Sequence, residues 1–558
     1  MPYDLQSVRA PRIAGLALSA AASLFENPVT NKLLLPKLLR DAGVERFRAA
    51  VLAEAPSVTP SLPRPASRDA RSSTPIDLGA LAASPVGKGF RFETVADFAR
   101  AFRDGTSDPL KVAERVIAAI ARSNEASPPL RAIIASRSDE IVLQAKASAA
   151  RFQAGQPLGP LDGVPVAVKD ELDVLGYPTT AGTSFLKRIA SEDATVVQRL
   201  KAAGALIIGK ANMHEIGIDT TGFNPHHGTA RNPYDPRRYT GGSSSGSAAA
   251  VGAGLCPLAV GADGGGSIRI PAALCGIVGL KATWSRISEA GAFPLCWSVA
   301  HVGPIGATAR DVALGYALMA GPDPRDVNSG NQPALELDGF DKGVAGLKLG
   351  VYTPWFDHAS PEVARVCHAL LGEFEKQGAT LVEIELEDLE LCRVAHAVTI
   401  LSEMATTMDQ YDELHRSDLG LGVRLNLALA REMTGRDYVR AQQVRTRFSA
   451  NVEKALAKCD AIMTPTTGIV APEIAADVLP RGESNLDVTS AMMRFVFPAN
   501  LTGHPAISFP AGHDGNGIPV GMQAMGRAWD ESLLLRIAQA AEGIVERRPP
   551  QVMNRLLG

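Results

Sequence analysis

The residues from Gly241 to Gly276 read GGSSSGSAAAVGAGLCPLAVGADGGGSIRIPAALCG, two glycine- and serine-rich loops around a run of small apolar residues. The second loop passes from Asp263 through three glycines to Ser267. Glycine allows the backbone to turn sharply and to approach a ligand closely. Several N–H groups of such a loop can converge on one anion, either a phosphate or the oxyanion of an acyl-transfer intermediate. The stretch therefore predicts an anion site beside a serine, with a tightly packed turn as the plainer alternative.

The phosphate interpretation has weaker support in these residues. A P-loop requires GxxxxGK[ST], but no lysine follows the glycines at 264–266. A dinucleotide-binding loop requires GxGxxG after a strand, whereas these glycines are contiguous and lead into Ser-Ile-Arg-Ile-Pro. The oxyanion interpretation makes Ser267 a nucleophile, and it requires a base because a serine hydroxyl is a weak nucleophile on its own.

A candidate base lies in the Val-rich run GVPVAVKD, which starts at Gly163 and includes Lys169. Such a run is typical of a buried strand. A lysine at the end of a buried strand must be paired or neutral, and the neutral amine can act as a general base. The alternative is a surface pair between Lys169 and Asp170, although adjacent strand residues point to opposite faces.

Together these motifs resemble those of the amidase signature family. In that family a lysine lies in GVPxxxKD, a bridging serine in GGSS and the nucleophile in GGS[IV]RxP, and all three motifs occur here in that order. Ser243 lies 74 residues after Lys169, and Ser267 lies 24 residues after Ser243, spacings similar to those of the family. The resemblance extends over roughly residues 90 to 545.

Three further motifs are similar to those of plant-type fatty-acid amide hydrolases within this family. They are KANMHE at 210–215, GTARNP at 228–233 and RYTGGSSSGS at 238–247. One departure from many family members is Gly264, where those members have Ile, Val or Thr after the aspartate. The plant-type group also has this third glycine, which increases the backbone freedom of the loop.

The resemblance implies an α/β fold, with a large mixed twisted sheet that helices cover on both faces. It also implies a Ser-cisSer-Lys triad in which a neutral Lys169 takes a proton, through Ser243, from the nucleophile Ser267. The residues predicted to bind the oxyanion through backbone N–H groups are Gly264, Gly265, Gly266 and Ser267.

Three other residues are predicted to support this site. Asp263 and Arg269 are expected to pair and hold the second loop, with direct contact to the substrate as the alternative. Ser244 is expected to position the loops by hydrogen bonding. The resemblance also implies a cis peptide bond before Ser243.

The composition excludes several other classes of function. The chain has 558 residues, a net charge of −3 and 21% charged residues, so no strong field attracts nucleic acid. The six cysteines form no CxxC pair and indicate free thiols of a reducing compartment, which predicts a cytoplasmic protein. The ten histidines form no HExxH motif. We therefore expect no metal and no cofactor.

The N-terminal residues 1–55 are predicted to form a helical cap. The apolar run at 13–25 is shorter than the roughly 20 residues that span a bilayer, and a secretory signal peptide is the alternative. A second helix is predicted at about 31–52, where leucines alternate with lysines and arginines. This pattern fits either an interfacial helix or a helix packed on the body. The resemblance favours a cap that faces a membrane or a substrate channel.

A Pro- and Ser-rich linker is predicted at 56–90, followed by the catalytic domain at 91–558. The resemblance implies hydrolysis of linear amides to acid and amine, with long-chain N-acylamides such as N-acylethanolamines as the favoured lipid-like substrates. The alternatives are a broad-scope aryl acylamidase, esterase or carbamate hydrolase, a glutamine-deamidating amidotransferase subunit, or a non-catalytic ligand-binding relative. A homodimer with peripheral membrane contact is also expected from the resemblance.

Overall fold

The computed structural model describes residues 3–6, 11–63, 76–81 and 87–558. Its centre is an eleven-stranded mixed sheet. In chain order its strands are β1 Ile133–Ala135, β2 Pro165–Lys169, β3 Leu206–Ala211, β4 Leu258–Ala262, β5 Val278–Lys281, β6 Val302–Gly306, β7 Lys348–Val351, β8 Thr380–Glu383, β9 Ala461–Pro465, β10 Ala506–His513 and β11 Pro519–Gly526. Across the sheet they lie in the order β8-β7-β9-β11-β10-β5-β6-β4-β2-β3-β1.

Helices precede, connect and follow these strands. The first ten are α1 Gly15–Glu26, α2 Pro28–Asp41, α3 Val44–Ala49, α4 Leu78–Leu81, α5 Val95–Arg103, α6 Pro109–Glu125, α7 Ser138–Gln153, α8 Thr195–Ala202, α9 Ser245–Gly252 and α10 Arg269–Leu274. The next are α11 Ala309–Met319, α12 Thr353–Phe356, α13 Pro361–Lys376, α14 Leu389–His415, α15 Leu421–Ala430, α16 Gly435–Leu456, α17 Leu486–Met493, α18 Phe497–Thr502 and α19 Glu531–Ile544.

The sheet is buried on both faces, because alternate residues of one strand enter different hydrophobic clusters. In β9, Met463 belongs to the largest cluster and Ile462 to a second cluster that includes residues of α14 and α16. Their antiparallel partners in β11, Ala524 and Met525, divide in the same way. Successive side chains of a strand point to opposite faces. The predicted α/β fold, a large mixed sheet covered by helices on both faces, is therefore confirmed.

Two neighbouring parallel strands bring the sequence motifs together. Val168 of β2 lies opposite Val260 of β4, so the carboxyl ends of these strands are adjacent. The first strand ends at Lys169, and the second leads directly into Asp263. In α/β sheets, binding residues commonly gather beyond the carboxyl ends of parallel strands. The topology therefore predicts a site where β2 and β4 end.

The described part of the N-terminal cap contains three helices, and the single helix predicted at 31–52 is wrong. Gly43 has a φ of +86° and separates α2 from α3, because a left-handed residue cannot continue a helix. Leu18 is fully buried in α1, which packs against α15, and Phe47 is fully buried in α3, which packs against α14. None of the described helices is both long and apolar enough to cross a membrane.

The stretch predicted as a linker is described at 56–63, 76–81 and 87–90. Its beginning lies along α16, where the Ser57 N–H donates to the Gln442 carbonyl at 3.2 Å. Its later part includes α4 and a short strand, Lys88–Gly89, that pairs with Glu546–Arg547. Residues 64–75 and 82–86 of this stretch lie outside the described residues.

Candidate active site

Lys169, the last residue of β2, has three oxygen atoms around its side-chain nitrogen. The Nζ atom lies 2.9 Å from Ser243 Oγ, 3.3 Å from the Ala262 carbonyl oxygen and 3.0 Å from Glu171 Oε2. Only 1% of the Lys169 side chain is exposed. The lysine is therefore buried and held by three separate contacts.

Asp170 does not pair with Lys169. Its carboxylate lies 3.3 Å from the Nζ of Lys210, and both of these side chains are buried. The Asp170 carboxylate also accepts the Thr180 hydroxyl and the Gly182 N–H. The alternative of a surface pair between Lys169 and Asp170 is therefore wrong.

A glycine-rich turn directly before α9 holds Ser243. Gly241 has a φ of +77°, and the Gly242–Ser243 peptide bond is cis. Position 242 has no room for a side chain, since a Cβ atom would lie 2.7 Å from the Gly222 backbone nitrogen. The Ser243 carbonyl oxygen accepts the His214 N–H at 3.1 Å. The turn thus presents the serine hydroxyl to the end of β2.

Ser244 connects the two loops of the site. Its Oγ donates to the Ala262 carbonyl oxygen at 3.1 Å and accepts the Ala262 N–H at 3.2 Å. Its own N–H donates to the Ser267 carbonyl oxygen at 3.3 Å. These bonds join the first loop both to the end of β4 and to the second loop.

The Asp263 carboxylate binds backbone N–H groups of its own loop. It accepts the Gly266 N–H at 2.6 Å and the Ile268 N–H at 3.1 Å. The prediction that Gly266 contributes an oxyanion donor is therefore wrong, because a buried carboxylate already holds this N–H. Across the described residues, the N–H groups of Gly264, Gly265 and Ser267 meet no acceptor.

Arg269 pairs with Asp263 and does not reach the substrate pocket. Its Nε and Nη2 atoms lie 3.0 and 3.1 Å from the two carboxylate oxygens, and both side chains are 0% exposed. The remaining guanidinium hydrogens bind Gln523, Asn500 and the Val496 carbonyl oxygen. Burial alone would raise the pKa of Asp263, but the charge and hydrogen bonds of Arg269 hold it far below its ordinary value. The pair therefore holds the second loop from within the core, and its role towards the substrate stays a prediction.

One pocket contains Lys169, Ser243 and Ser267 together. Its cavity volume is about 50 Å³, and it opens to solvent. Its remaining polar lining includes Glu171 and Asp219. Its apolar walls are formed by Ile218, Phe293, Leu295, Cys296, Ala300, Ile400 and Met493. Such a pocket, apolar with a few convergent polar groups, is typical of a small-molecule site.

The Ser267 hydroxyl makes no hydrogen bond within the part of the chain that the structure describes. The link from Lys169 to Ser243 is thus formed, whereas the link from Ser243 to Ser267 is not. Catalytic hydrogen bonds are often long in the absence of substrate and tighten only when substrate binds. The predicted role of Ser267 stays a prediction.

The sequence reasoning missed His396 of α14. Its Nε2 lies 2.8 Å from the Gly264 carbonyl oxygen, and a carbonyl only accepts, so Nε2 carries the hydrogen. Burial lowers the pKa of His396 to about 4, which keeps the ring neutral at pH 7. A Cβ atom at position 265 would lie 2.9 Å from the imidazole Cε1. Because C=O and N–H point in opposite directions across a trans peptide, this bond turns the Gly265 N–H away from the histidine.

The sequence reasoning also missed Glu171. It stands two residues after Lys169, where an acidic residue carries no signal of its own. No periodicity could have found His396 either, since it lies 132 residues from Gly264 and meets it only in the fold.

Comparison with known proteins identifies the family of this chain. The Amidase family model matches residues 114–535. The chain therefore belongs to the amidase family, and it is an enzyme that hydrolyses amide bonds.

Relatives of several kinds are similar to this chain. A fatty acid amide hydrolase of Arabidopsis thaliana is 38% identical, over 98% of this chain and 95% of the relative. A glutamyl-tRNA(Gln) amidotransferase subunit of Symbiobacterium thermophilum is 37% identical, over 81% of this chain and 97% of the relative. The peptide amidase structure from Stenotrophomonas maltophilia is 29% identical with a TM-score of 0.72, over 82% of this chain and 98% of that chain.

Proposed function

We propose that this chain hydrolyses N-acylamides of long-chain acids, including N-acylethanolamines, to a fatty acid and an amine. The chemistry rests on the 2.9 Å contact between Lys169 Nζ and Ser243 Oγ, in the pocket that also holds Ser267. The substrate class rests on the likeness to the fatty acid amide hydrolase of Arabidopsis thaliana. That likeness covers 98% of this chain, whereas the amidotransferase relative matches 81% of it.

The three contacts of Lys169 decide how a neutral amine would sit. The Ala262 carbonyl and a Glu171 carboxylate can only accept hydrogen bonds, so each takes one of the two amine hydrogens. The lone pair is then left for Ser243, the one neighbour with a hydroxyl hydrogen to give. A neutral Lys169 is therefore oriented to take a proton from Ser243.

In the proposed acylation step, Ser267 Oγ attacks the amide carbonyl carbon as its proton passes to Ser243 and the Ser243 proton passes to Lys169. The carbonyl oxygen becomes an oxyanion. The N–H groups of Gly264, Gly265 and Ser267 are free to bind it, and the loss of one such donor typically slows kcat by about 10²–10³-fold.

The amine then leaves, and a proton must reach its nitrogen because an amide anion is a very poor leaving group. Ser243 supplies this proton and recovers one from Lys169, which returns to the neutral form. An ester now joins the acyl group to Ser267. Water attacks this ester with the same relay, releasing the acid and restoring the Ser267 hydroxyl.

The cap is proposed to contact a membrane through α2. Leu33 is 78% exposed and Val29 is 72% exposed, and Leu16 of the preceding helix α1 is also exposed. Lys32 and Lys37 on α2 are also exposed. Apolar side chains beside basic ones on one helix fit the surface of an anionic bilayer.

The experiment measures hydrolysis of a series of N-acylethanolamines of increasing chain length, beside an aryl acetamide and glutamine, with Ser267→Ala as the control. We expect kcat/KM to rise with chain length and to vanish in the variant. A flat profile with good turnover of the aryl acetamide would replace the lipid proposal by a broad-scope amidase. Turnover of glutamine alone would favour the amidotransferase alternative. A homodimer and a cytoplasmic location stay predictions.

A further inference from the structure

We propose that Glu171 is a positioning residue that sets the pH at which Lys169 becomes a base. The role rests on the triad proposed above, and it rests on a contact at 3.0 Å between Glu171 Oε2 and Lys169 Nζ. Both side chains line the same pocket, and the Glu171 side chain is 13% exposed. The carboxylate thus contacts the lysine amine directly.

The contact has two opposite consequences for catalysis. The carboxylate fixes one hydrogen of the neutral amine and so helps to aim the lone pair at Ser243. The same negative charge favours the ammonium form of Lys169, which cannot accept a proton. Glu171 therefore improves the geometry of the relay while confining its action to higher pH.

The ammonium form also fits the structure without rearrangement. An ammonium group has three hydrogens, and Ser243 Oγ, Ala262 O and Glu171 Oε2 provide three acceptors for them. The resting enzyme can thus hold a protonated Lys169 in place. Loss of one proton then switches the contact with Ser243 from donation to acceptance.

Other titratable groups around Lys169 should have less influence on the balance between its neutral and ammonium forms. Asp263 is paired with Arg269, and the Asp219 carboxylate accepts the Thr220 N–H at 2.5 Å. Burial lowers the pKa of His214 and raises the pKa of Cys296, so both are neutral near pH 7. Burial also raises the pKa of two further acids, Glu289 and Glu403. None of these side chains is hydrogen-bonded to Lys169 in the described structure.

Glu171→Gln separates the two consequences. Glutamine has nearly the same shape and keeps an oxygen that accepts the amine hydrogen, but it carries no charge. Glu171→Asp keeps the charge and withdraws it by one methylene group. Asp219→Asn is the matched control, because it removes a carboxylate from the same pocket that does not contact Lys169.

The test follows the rate at which a fluorophosphonate labels Ser267, from about pH 5.5 to pH 10, in the full-length wild type and the variants. No amide substrate is used, so the result does not depend on the lipid assignment. An opposite charge at this distance typically shifts a protonation midpoint by about 1–3 pH units. We expect Glu171→Gln to move the acid limb down by at least about 1 pH unit, with about tenfold faster labelling at pH 6.

Glu171→Asp should move the limb in the same direction by less, and Asp219→Asn should move it least. The proposal is overturned if the Glu171→Gln and wild-type profiles superimpose, or if labelling falls by one factor at every pH. A shift of equal size in Asp219→Asn would show that any carboxylate of the pocket acts on Lys169 through its charge, and it would also overturn the proposal for Glu171. Lys169→Ala separates the proposed triad mechanism from the proposed role of Glu171. If this variant is labelled as fast as wild type, Lys169 is not the base, and both proposals are wrong.

Discussion

The loop at Asp263 and the helix at Leu33 are opposite extremes of packing in this chain. Asp263 and Arg269 are 0% exposed, and each guanidinium nitrogen has a partner. Leu33 is 78% exposed on α2, where Leu39 is the one buried residue among the described side chains. The first region is held in one geometry by many contacts, whereas the second contributes little to the core. Substitutions in the loop should therefore change both activity and stability. Substitutions of exposed residues on α2 should change only the contact with a membrane surface.

The largest effect is expected at Ser267, the proposed nucleophile. Ser267→Ala should lower amide hydrolysis by about 10⁴-fold or more, because the proposed acyl-enzyme forms on this hydroxyl. Its unfolding free energy should stay within about 0.5 kcal/mol of wild type, measured by denaturant unfolding. By contrast, the comparison variant Leu33→Ser on the exposed helix α2 should leave the hydrolysis of a short soluble anilide unchanged. Retention of activity in Ser267→Ala would show that another residue is the nucleophile.

A large loss of stability is expected when the buried pair is broken. Arg269→Met leaves an uncompensated carboxylate in the interior and should lower the unfolding free energy by about 3–5 kcal/mol. Arg40→Met, which breaks the exposed pair of Arg40 and Glu45 in the cap, should cost less than about 1 kcal/mol. Equal losses of unfolding free energy in the two variants would contradict the expected difference between the buried loop and the exposed helix α2.

The pH dependence of that loss has a defined sign. The pKa of Asp263 is lowered in the folded state, so in wild type its contribution to stability is full above the unfolded value of about 3.9 and is lost gradually as the pH falls from there through the lower folded-state pKa. In Arg269→Met nothing opposes the effect of burial, which raises the pKa of Asp263, so the carboxyl binds a proton and loses its unpaired charge as the pH falls. Guanidinium unfolding at pH 7.5 and at pH 4 should therefore show a smaller difference between Arg269→Met and wild type at the lower pH. An unchanged difference would mean that the carboxylate does not cause it.

An intermediate effect is expected at His396. His396→Ala removes the donor to the Gly264 carbonyl and frees this peptide to rotate, so kcat should fall by about 10–10²-fold with little change in KM. His396→Gln, which can place an N–H near the same position, should recover part of the rate. Because the neutral and the protonated imidazole of His396 both keep the Nε2 hydrogen, the loss of kcat in His396→Ala should not vary from pH 6 to pH 9. A change in KM alone would place His396 among substrate contacts instead.

The smallest effect is expected in the cap. Leu33→Ser should change the unfolding free energy by less than about 0.5 kcal/mol, since the side chain is largely exposed. It should weaken binding to vesicles that contain anionic lipid by a few fold, measured by co-sedimentation. Unaltered vesicle binding, or no binding in the wild type, would leave α2 as an ordinary solvated helix.

Local motifs allowed much of this protein to be predicted from its sequence. The Val-rich run before Lys169 and the glycine loops at 241–242 and 264–266 determined the strand end and the two turns, since these need particular residue types at particular positions. The fold class followed from the resemblance of these motifs to those of the amidase signature family. The helix predicted at 31–52 was wrong because a single Gly43 outweighed the leucine pattern around it.

Only the tertiary structure decided which groups meet. It assigned the Gly266 N–H to the Asp263 carboxylate rather than to a substrate oxyanion, and it placed Glu171 at the lysine. It also brought His396 of a distant helix to the Gly264 carbonyl. A local motif records the conformations that a segment can adopt. The partner of a buried hydrogen-bonding group depends on how strands and helices pack across the whole chain, and no short pattern encodes this.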